Sequence, residues 1–226
     1  MLTHGEAEYN TILTGLAQGD RRTNSAFKRA KINFDDGIEM IDELCKFKVL
    51  KLEKSLQALS NLTDQYTVSE KLLFTTPFSR FWFAFVSPIF KGIKDGNYEE
   101  FHKLYENKRV EFTDLVFEQL AHEYMKFNLE ADQIKNIGRY WDDDLDIDLL
   151  VKTKSGKVIA GSCKYTNSKI KKTELTRLKE KCEAAKIDVD LFVLFSKKGY
   201  TTELKSLKGD TLKLFTVKSF SQLLSS

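Results

Sequence analysis

The spacing of apolar residues changes along this chain, and the change limits it to a two-part architecture. Up to Phe127 the pattern is mainly helical; from Gln133 onward it is mainly that of strands. Glu6 to Gln18 places Tyr9, Ile12, Leu13 and Leu16 on one helical face. Thr23 or Asn24 is suited to cap a second short helix through Ala30. Asn33 is suited to cap a third, carrying Ile38, Ile41, Leu44 and Cys45 inward. The run from Phe47 to Leu52 reads as a strand, and Gln65-Tyr-Thr-Val as a second. Three helices followed by a two-stranded wing predict a winged helix-turn-helix over residues 1–76.

The third helix of that unit carries Asp35, Asp36, Glu39, Asp42 and Glu43. Phosphates repel such a surface, so the unit is expected to contact protein or to dimerise in preference to reading DNA. Arg21, Arg22, Lys28, Arg29 and Lys31 form its basic cluster, which fits a solvated face as well as DNA contact. Residues 77–109 follow as a helical connector dense in aromatics, from Pro77-Phe-Ser-Arg-Phe-Trp-Phe-Ala-Phe-Val onward. Packing, within or between domains, is the expected role of those rings. Glu99 to Tyr105 reads as a short helix. Val110 to Phe127 reads as a longer one with Phe112, Val116, Leu120 and Tyr124 as its stripe.

Residues 110–226 read as a second domain with the order α-β-β-β-α-β. Gln133 to Tyr140 is a strand. Asp146 to Thr153 and Lys157 to Tyr165 form a hairpin across Ser155-Gly156. An amphipathic helix covers Lys172 to Ala185, and Val189 to Phe195 is apolar enough to be a buried strand. A short helix (Thr201 to Leu207), a last strand (Thr211 to Val217) and a terminal helix capped by Ser219 complete it. The expected fold class is therefore α+β or α/β: an N-terminal winged helix-turn-helix, then a mixed sheet flanked by helices.

Composition removes several alternatives. With 42% hydrophobic residues the chain has material for a real core, and two prolines with 11 glycines exclude collagen-like and low-complexity classes. No apolar run reaches the ~18 residues of a membrane span. The start MLTHGEAEYN lacks the features of a signal peptide, so a cytoplasmic protein without membrane contact is expected. A net charge of +3 is mild. Residues 1–85 carry 11 charges of each sign, so the excess lies in the remainder. Cys45, Cys163 and Cys182 have no paired spacing and are expected as buried reduced thiols.

Three residues of the second domain form a chemical constellation. Asp148 lies on the first hairpin strand, Lys164 near the end of the second, and Glu118 on the preceding helix with His122 one turn later. A strand acid, a neighbouring Lys and a helical Glu suit a divalent-metal site for phosphodiester hydrolysis, with Lys offsetting developing charge. Read alone, Asp148 and Lys164 also fit a plain cross-strand ion pair. Asp146 shares the face of Asp148. Asp142-Asp143-Asp144 is expected to be a solvated loop, and His122 a neighbour of the site with no general-base role. Lys169, Lys171, Lys172, Arg177, Lys179 and Lys181 cluster just beyond Lys164, opposed by Glu174 and Glu180. That run suits a phosphate backbone or a solvated helix face.

The sequence resembles the C-terminal region of archaeal and bacterial DEXX-box (AAA-type) ATPases. Thr76-Pro-Phe-Ser-Arg-Phe-Trp-Phe-Ala-Phe-Val is similar to that family's DPFLRFWF signature. Gly138-Arg-Tyr-Trp with Asp146-Ile-Asp-Leu-Leu-Val is similar to its W…EID strand, and Val158-Ile-Ala-Gly-Ser-Cys-Lys-Tyr to its GECKW strand. No GxxxxGK[ST] occurs in the chain, so no ATP site of that kind is expected. The resemblance implies a restriction-endonuclease-like fold of the PD-(D/E)xK type for the second domain. It assigns Asp148, Lys164 and Glu118 as catalytic, and Asp148 and Glu118 as holders of Mg²⁺ or Mn²⁺, with Asp146 able to compensate. The departure is Ser162, which stands where (D/E)xK has its acid. A neutral, poor ligand there leaves two family carboxylates, Glu118 and Asp148, and weakens the metal site. Two functions follow. One is a DNA-associated protein with a divergent or degenerate metal-dependent nuclease-like domain. The other is an inactive interaction or regulatory module working through the winged helix. A small-molecule enzyme has no supporting motif.

Overall fold

The computed structural model describes residues 7–19, 21–61, 70–129 and 133–224. The chain divides into two compact units. The first comprises Met1–Lys54 and Ser69–Phe112, the second Ser55–Val68 and Thr113–Ser226. Residues 77–109 thus fall inside the first unit.

In the first unit, α1 (Ala7–Gln18), α2 (Thr23–Ala30) and α3 (Phe34–Lys46) precede β1 (Leu50–Glu53) and β2 (Lys71–Phe74). The two strands pair antiparallel, with Leu50 opposite Phe74. The expected strand at Gln65-Tyr-Thr-Val lies outside the described residues; the partner of β1 is Lys71–Phe74, where Leu72, Leu73 and Phe74 are buried. Ile12, Leu13 and Leu16 of α1 are buried as their spacing implies. Asn33 caps α3, its side chain accepting from the Asp36 amide at 2.9 Å. Neither Thr23 nor Asn24 caps α2: Arg22 holds the cap position, with no side-chain cap bond. On α3, Met40, Ile41 and Leu44 are buried, whereas Ile38 and Cys45 are only partly so. The aromatic run folds as α4 (Pro77–Phe81), a wide helical turn (Trp82–Val86), a tight turn (Ser87–Ile89) and α5 (Phe90–Lys94). Phe83, Ala84 and Phe85 join the core of this unit, and Phe81 and Phe85 pack against Phe112.

A single helix, α6 (Glu99–Asn128), replaces the two expected ones. Residues 106–109 contain no helix breaker, and pairs one turn apart, Arg109 with Glu106 at 3.1 Å and Lys108 with Glu111 at 3.5 Å, support continuity. The unit boundary falls within this helix. Beyond it the buried residues are Leu115, Phe117, Ala121, Tyr124 and Met125, so the inward stripe is rotated from the expected one; Leu120 is 39% exposed.

The second unit is a five-stranded mixed sheet: β3 (Ile134–Trp141), β4 (Asp146–Thr153), β5 (Val158–Lys164), β6 (Leu191–Ser196) and β7 (Leu212–Thr216), in that spatial order. Its first three strands are antiparallel and its last three parallel. The connections between the parallel strands run through α7 (Lys172–Ala184) and the short α8 (Thr202–Ser206). Leu175, Leu178 and Cys182 of α7 pack with Leu150, Ala160 and Leu194 on one sheet face. Phe117, Ala121, Tyr124 and Met125 of α6 pack with Leu149, Val151, Val193 and Phe195 on the other. The apolar alternation of the strands is thus used on both faces. The C-terminal segment Val217–Leu224 is a tight helix. Ser219 lies inside it and accepts from the Thr216 amide at 3.2 Å, so it does not start the helix. All three cysteines are free; Cys163 and Cys182 are buried, Cys45 half-buried.

Gly161 sits in the middle of this sheet because there is no room for more. A Cβ there would lie 2.8 Å from both Leu149 Cδ2 and Val193 Cγ2, and 3.1 Å from Leu149 Cβ. Both neighbours are fully packed. Gly161→Ala is therefore expected to lower the unfolding free energy by about 1–3 kcal/mol, measured by denaturant titration.

Candidate functional site

Strands β4 and β5 pair from Lys152↔Val158 to Leu149↔Gly161, and their ladder ends there. Past that point β5 stays paired with β6 as far as Lys164↔Ser196. A cavity of about 270 Å³ opens where β4 and β5 part. It is lined by Asp146, Ile147, Asp148, Gly161, Ser162, Lys164, Glu174, Arg177, Leu178 and Lys181.

Asp148 is the buried acid of this group, 8% exposed. Its Oδ2 accepts from the Cys163 amide at 2.8 Å, from Ser162 Oγ at 3.3 Å and from Lys164 Nζ at 3.4 Å. The side chain thus takes over the amide of the strand that β4 no longer reaches. Lys164 Nζ also lies 3.5 Å from Glu174 Oε1. Burial alone would lower the pKa of the Lys164 ammonium, but the carboxylates of Asp148 and Glu174 outweigh it and hold the pKa above its ordinary value.

Glu174 was not singled out from sequence as a site residue. It lies in the first turn of α7 and reaches back to Ser162, accepting from its Oγ at 2.7 Å. Its side chain is 18% exposed. The available signal was its isolation: it is the one acid in the first turn of a helix otherwise opened by lysines.

Asp146 lines the same cavity, as its position two residues before Asp148 implies. Lys181 Nζ donates to its Oδ1 at 3.0 Å and to its backbone oxygen at 2.7 Å. Arg139 lies 3.7 Å from its other oxygen. Burial opposes ionisation of Asp146, yet the Lys181 bond and charge, with Arg139, hold its carboxyl below the usual range. Glu118 is elsewhere: it faces Arg139 at 3.0 Å in a largely buried ion pair and does not line the cavity. His122 Nε2 lies 2.9 Å from the backbone oxygen of Asp148, a supporting contact to the strand. Asp142 is a turn residue: its carboxylate accepts from Tyr140 Oη at 2.7 Å and from the Asp144 and Leu145 amides, each at 2.9 Å. Asp143 and Asp144 are exposed.

The basic run divides by position. Arg177 and Lys181 line the cavity. Lys172 lies 3.8 Å from Glu203, and Lys179 lies over the Phe192 ring. Lys169 and Lys171 are exposed on the approach to α7.

No set of three or more His, Cys, Asp or Glu converges as a ready-made metal cage among the described residues. The donors present nevertheless fit one hard cation. Mg²⁺ and Mn²⁺ are held through one or two carboxylates with waters completing the shell, and Asp148 and Glu174 converge on a common hydroxyl and a common ammonium beside the cavity.

Residues 82–178 match a family described as archaeal and bacterial proteins of unknown function, DUF234. No curated protein matches the chain. Among solved structures it is similar to the ATP-dependent Type ISP restriction-modification enzyme LlaBIII bound to DNA, at 13% identity and a TM-score of 0.34, over 57% of this chain and 8% of that one. It is also similar to protein VC1899 from Vibrio cholerae, at 10% identity and a TM-score of 0.39, over 98% of this chain and 56% of that one. The chain therefore spans only part of the length of each. No helix among the described residues is long and apolar enough to cross a membrane.

Asp114, one turn before Glu118 on α6, gives a pH test of the local field. Burial raises its pKa, the charge of Asp148 adds to the rise, and Lys164 opposes it. The folded chain thus holds this proton more tightly than the unfolded chain, so ionisation opposes folding above the folded pKa. Asp114→Asn is expected to raise Tm at neutral pH by on the order of 1–3 °C. That advantage should vanish as pH falls through the raised pKa toward the ordinary value of about 3.9, in thermal melts across pH.

Proposed function

We propose that the second unit is a nuclease-like domain that engages the phosphate backbone of DNA and is built for metal-dependent phosphodiester hydrolysis. In this reading the chain is related to the C-terminal regions of DEXX-box ATPases, with a winged helix-turn-helix in its first unit. The observation that carries it is the cavity itself, where Asp148, Ser162 and Lys164 from two parting strands meet Glu174, Arg177 and Lys181 from α7.

Each residue has a chemical part. Asp148 is fixed by three donors and keeps its carboxylate at the cavity wall. Lys164 stays an ammonium throughout the physiological range, so it can neutralise charge that develops on a phosphate oxygen. Arg177 offers a planar fork suited to a phosphodiester, and Lys169, Lys171 and Lys172 extend positive charge along the approach. Lys181 is held by Asp146 and serves to anchor that wall. Asp148, with Asp146 and Glu118 as further acids of the unit, is the proposed source of Mg²⁺ or Mn²⁺ binding. A divalent cation held there supplies Lewis acidity toward the phosphodiester. The cavity is close to neutral, three acids (Asp146, Asp148 and Glu174) balancing three bases (Lys164, Arg177 and Lys181), so a divalent cation held there would supply the positive charge an incoming phosphodiester needs.

Supercoiled plasmid incubated with Mg²⁺ or Mn²⁺ is expected to be nicked by the wild type and not by Asp148→Ala. In gel shifts the same DNA should bind more weakly as salt rises, and replacing Lys169, Lys171 and Lys172 by Ala should flatten that dependence by about 2–3 in the log–log slope. Neither nicking nor salt-sensitive binding would instead favour an inactive interaction module.

A further inference from the structure

We propose that Glu174 supplies, from helix α7, the metal-binding carboxylate that strand β5 lacks at Ser162, and that Ser162 positions it. The inference rests on the nuclease-like reading above and names a ligand that the (D/E)xK pattern does not contain.

Three observations carry it. First, the Ser162 hydroxyl lies between two carboxylates, 2.7 Å from Glu174 Oε1 and 3.3 Å from Asp148 Oδ2. It has one proton and can donate to one of them at a time, so it bridges the pair and fixes their spacing. Second, Lys164 Nζ lies at nearly equal distances from the same two oxygens, 3.4 and 3.5 Å. The lysine therefore relates to Glu174 as it does to Asp148. Third, Glu174 lines the cavity and is only 18% exposed, unlike a carboxylate placed merely to complement a helix end in solvent. Ser162 reaches the cavity but offers only a neutral hydroxyl, a poor ligand for a hard cation, and its small side chain leaves room for a longer one to enter from the helix. The acid has changed element while keeping its neighbours.

The other acids do not compete for this role. Asp146 is engaged by Lys181 on one oxygen and faces Arg139 on the other; Glu118 faces Arg139, and Asp114 on α6 feels the charges of Asp148 and Lys164, but neither of these two lines the cavity. Two carboxylates, with water in the remaining positions, are a normal complement for a hard divalent ion.

The test is Mn²⁺ binding to the full chain, read from the loss of the free-ion electron paramagnetic resonance signal, without DNA. Glu174→Gln keeps the size of the side chain and an acceptor for Ser162; it is expected to weaken Mn²⁺ binding about tenfold or more, with Tm within a few degrees of wild type. The double variant Ser162→Asp/Glu174→Ala returns the carboxylate to the strand and should recover most of the lost affinity. Unchanged Mn²⁺ affinity in Glu174→Gln, beside a loss in Asp148→Asn, would overturn the assignment. So would a wild type that binds no Mn²⁺. If Mn²⁺ binding requires Glu174 while DNA is neither bound nor cut, the assignment stands and the nuclease-like reading fails. Nicking by wild type and Glu174→Gln at equal Mn²⁺ affinity would have the reverse meaning.

Discussion

The carboxylate of Asp148 is the constraint on which the second unit depends. It sits in a strand whose neighbours Ile147, Leu149, Leu150 and Val151 are all buried, so the strand carries a carboxyl group into the protein interior. A buried carboxylate without partners would cost several kcal/mol, on the order of 3–5. Its partners all come from one short segment of the next strand: the Cys163 amide, the Ser162 hydroxyl and the Lys164 ammonium. That segment must therefore lie opposite Asp148, although the regular pairing of β4 with β5 stops at Leu149↔Gly161. The side chain holds together what the backbone ladder releases. The cavity is the space left between strands that diverge but remain tied at one point.

Helix α7 closes the arrangement, and its sequence explains why it can. Leu175, Leu178 and Cys182 bury one face against the sheet. Glu174, Arg177 and Lys181 sit beside those residues at helical spacing, so the turn that packs Leu178 also brings Arg177 to the cavity wall. Burial pushes the Cys182 thiol up to about 12, so it stays a protonated apolar side chain at neutral pH and serves packing alone. Cys163, fully buried on the opposite face with the carboxylates of Asp148 and Glu118 nearby, is likewise held well above the usual thiol range. Neither thiol competes with the carboxylates for a hard cation.

Much of this was legible in the sequence, and the parts that were not share a cause. Strands β4 and β5 and helix α7 follow from short-range patterns: alternating or continuous apolar runs, the Ser155-Gly156 turn and an amphipathic stripe. Asp148, Lys164 and Asp146 could be placed together because strand alternation and a hairpin register are local arithmetic. Glu174 could not, because its contact with Ser162 depends on where α7 docks, which no spacing within the helix encodes. The same limit applies to Glu118. Its helical face was readable, but its pairing with Arg139 is set by the approach of β3, which runs antiparallel to β4 through two irregularities in register. The single long α6 was missed for a different reason. The polar stretch 106–109 carries no apolar periodicity, so the pattern reads as a gap, while helix propensity and pairs one turn apart carry the helix through it.

The charge layout of the two units argues for where an anionic partner is handled on the proposed reading. Helix α3 exposes Asp35, Asp36, Glu39 and Asp42 around its first turns. A phosphate backbone passing there would meet repulsion at each turn. The buried face of the same helix is ordinary core, packed against Phe27 so tightly that a Cβ on Gly37 would come within 2.7 Å of that ring. The second unit has the opposite economy of charge. Asp148, Asp146 and Glu118 are paired with Lys164, Lys181 and Arg139, while Lys169 and Lys171 face solvent on the approach to α7 and Lys172 lies 3.8 Å from Glu203. Pairing those three acids while Lys169 and Lys171 stay in solvent leaves positive charge at the approach to α7. On the proposed reading that local arrangement of charge, more than the net charge of +3, directs phosphate contact to the second unit.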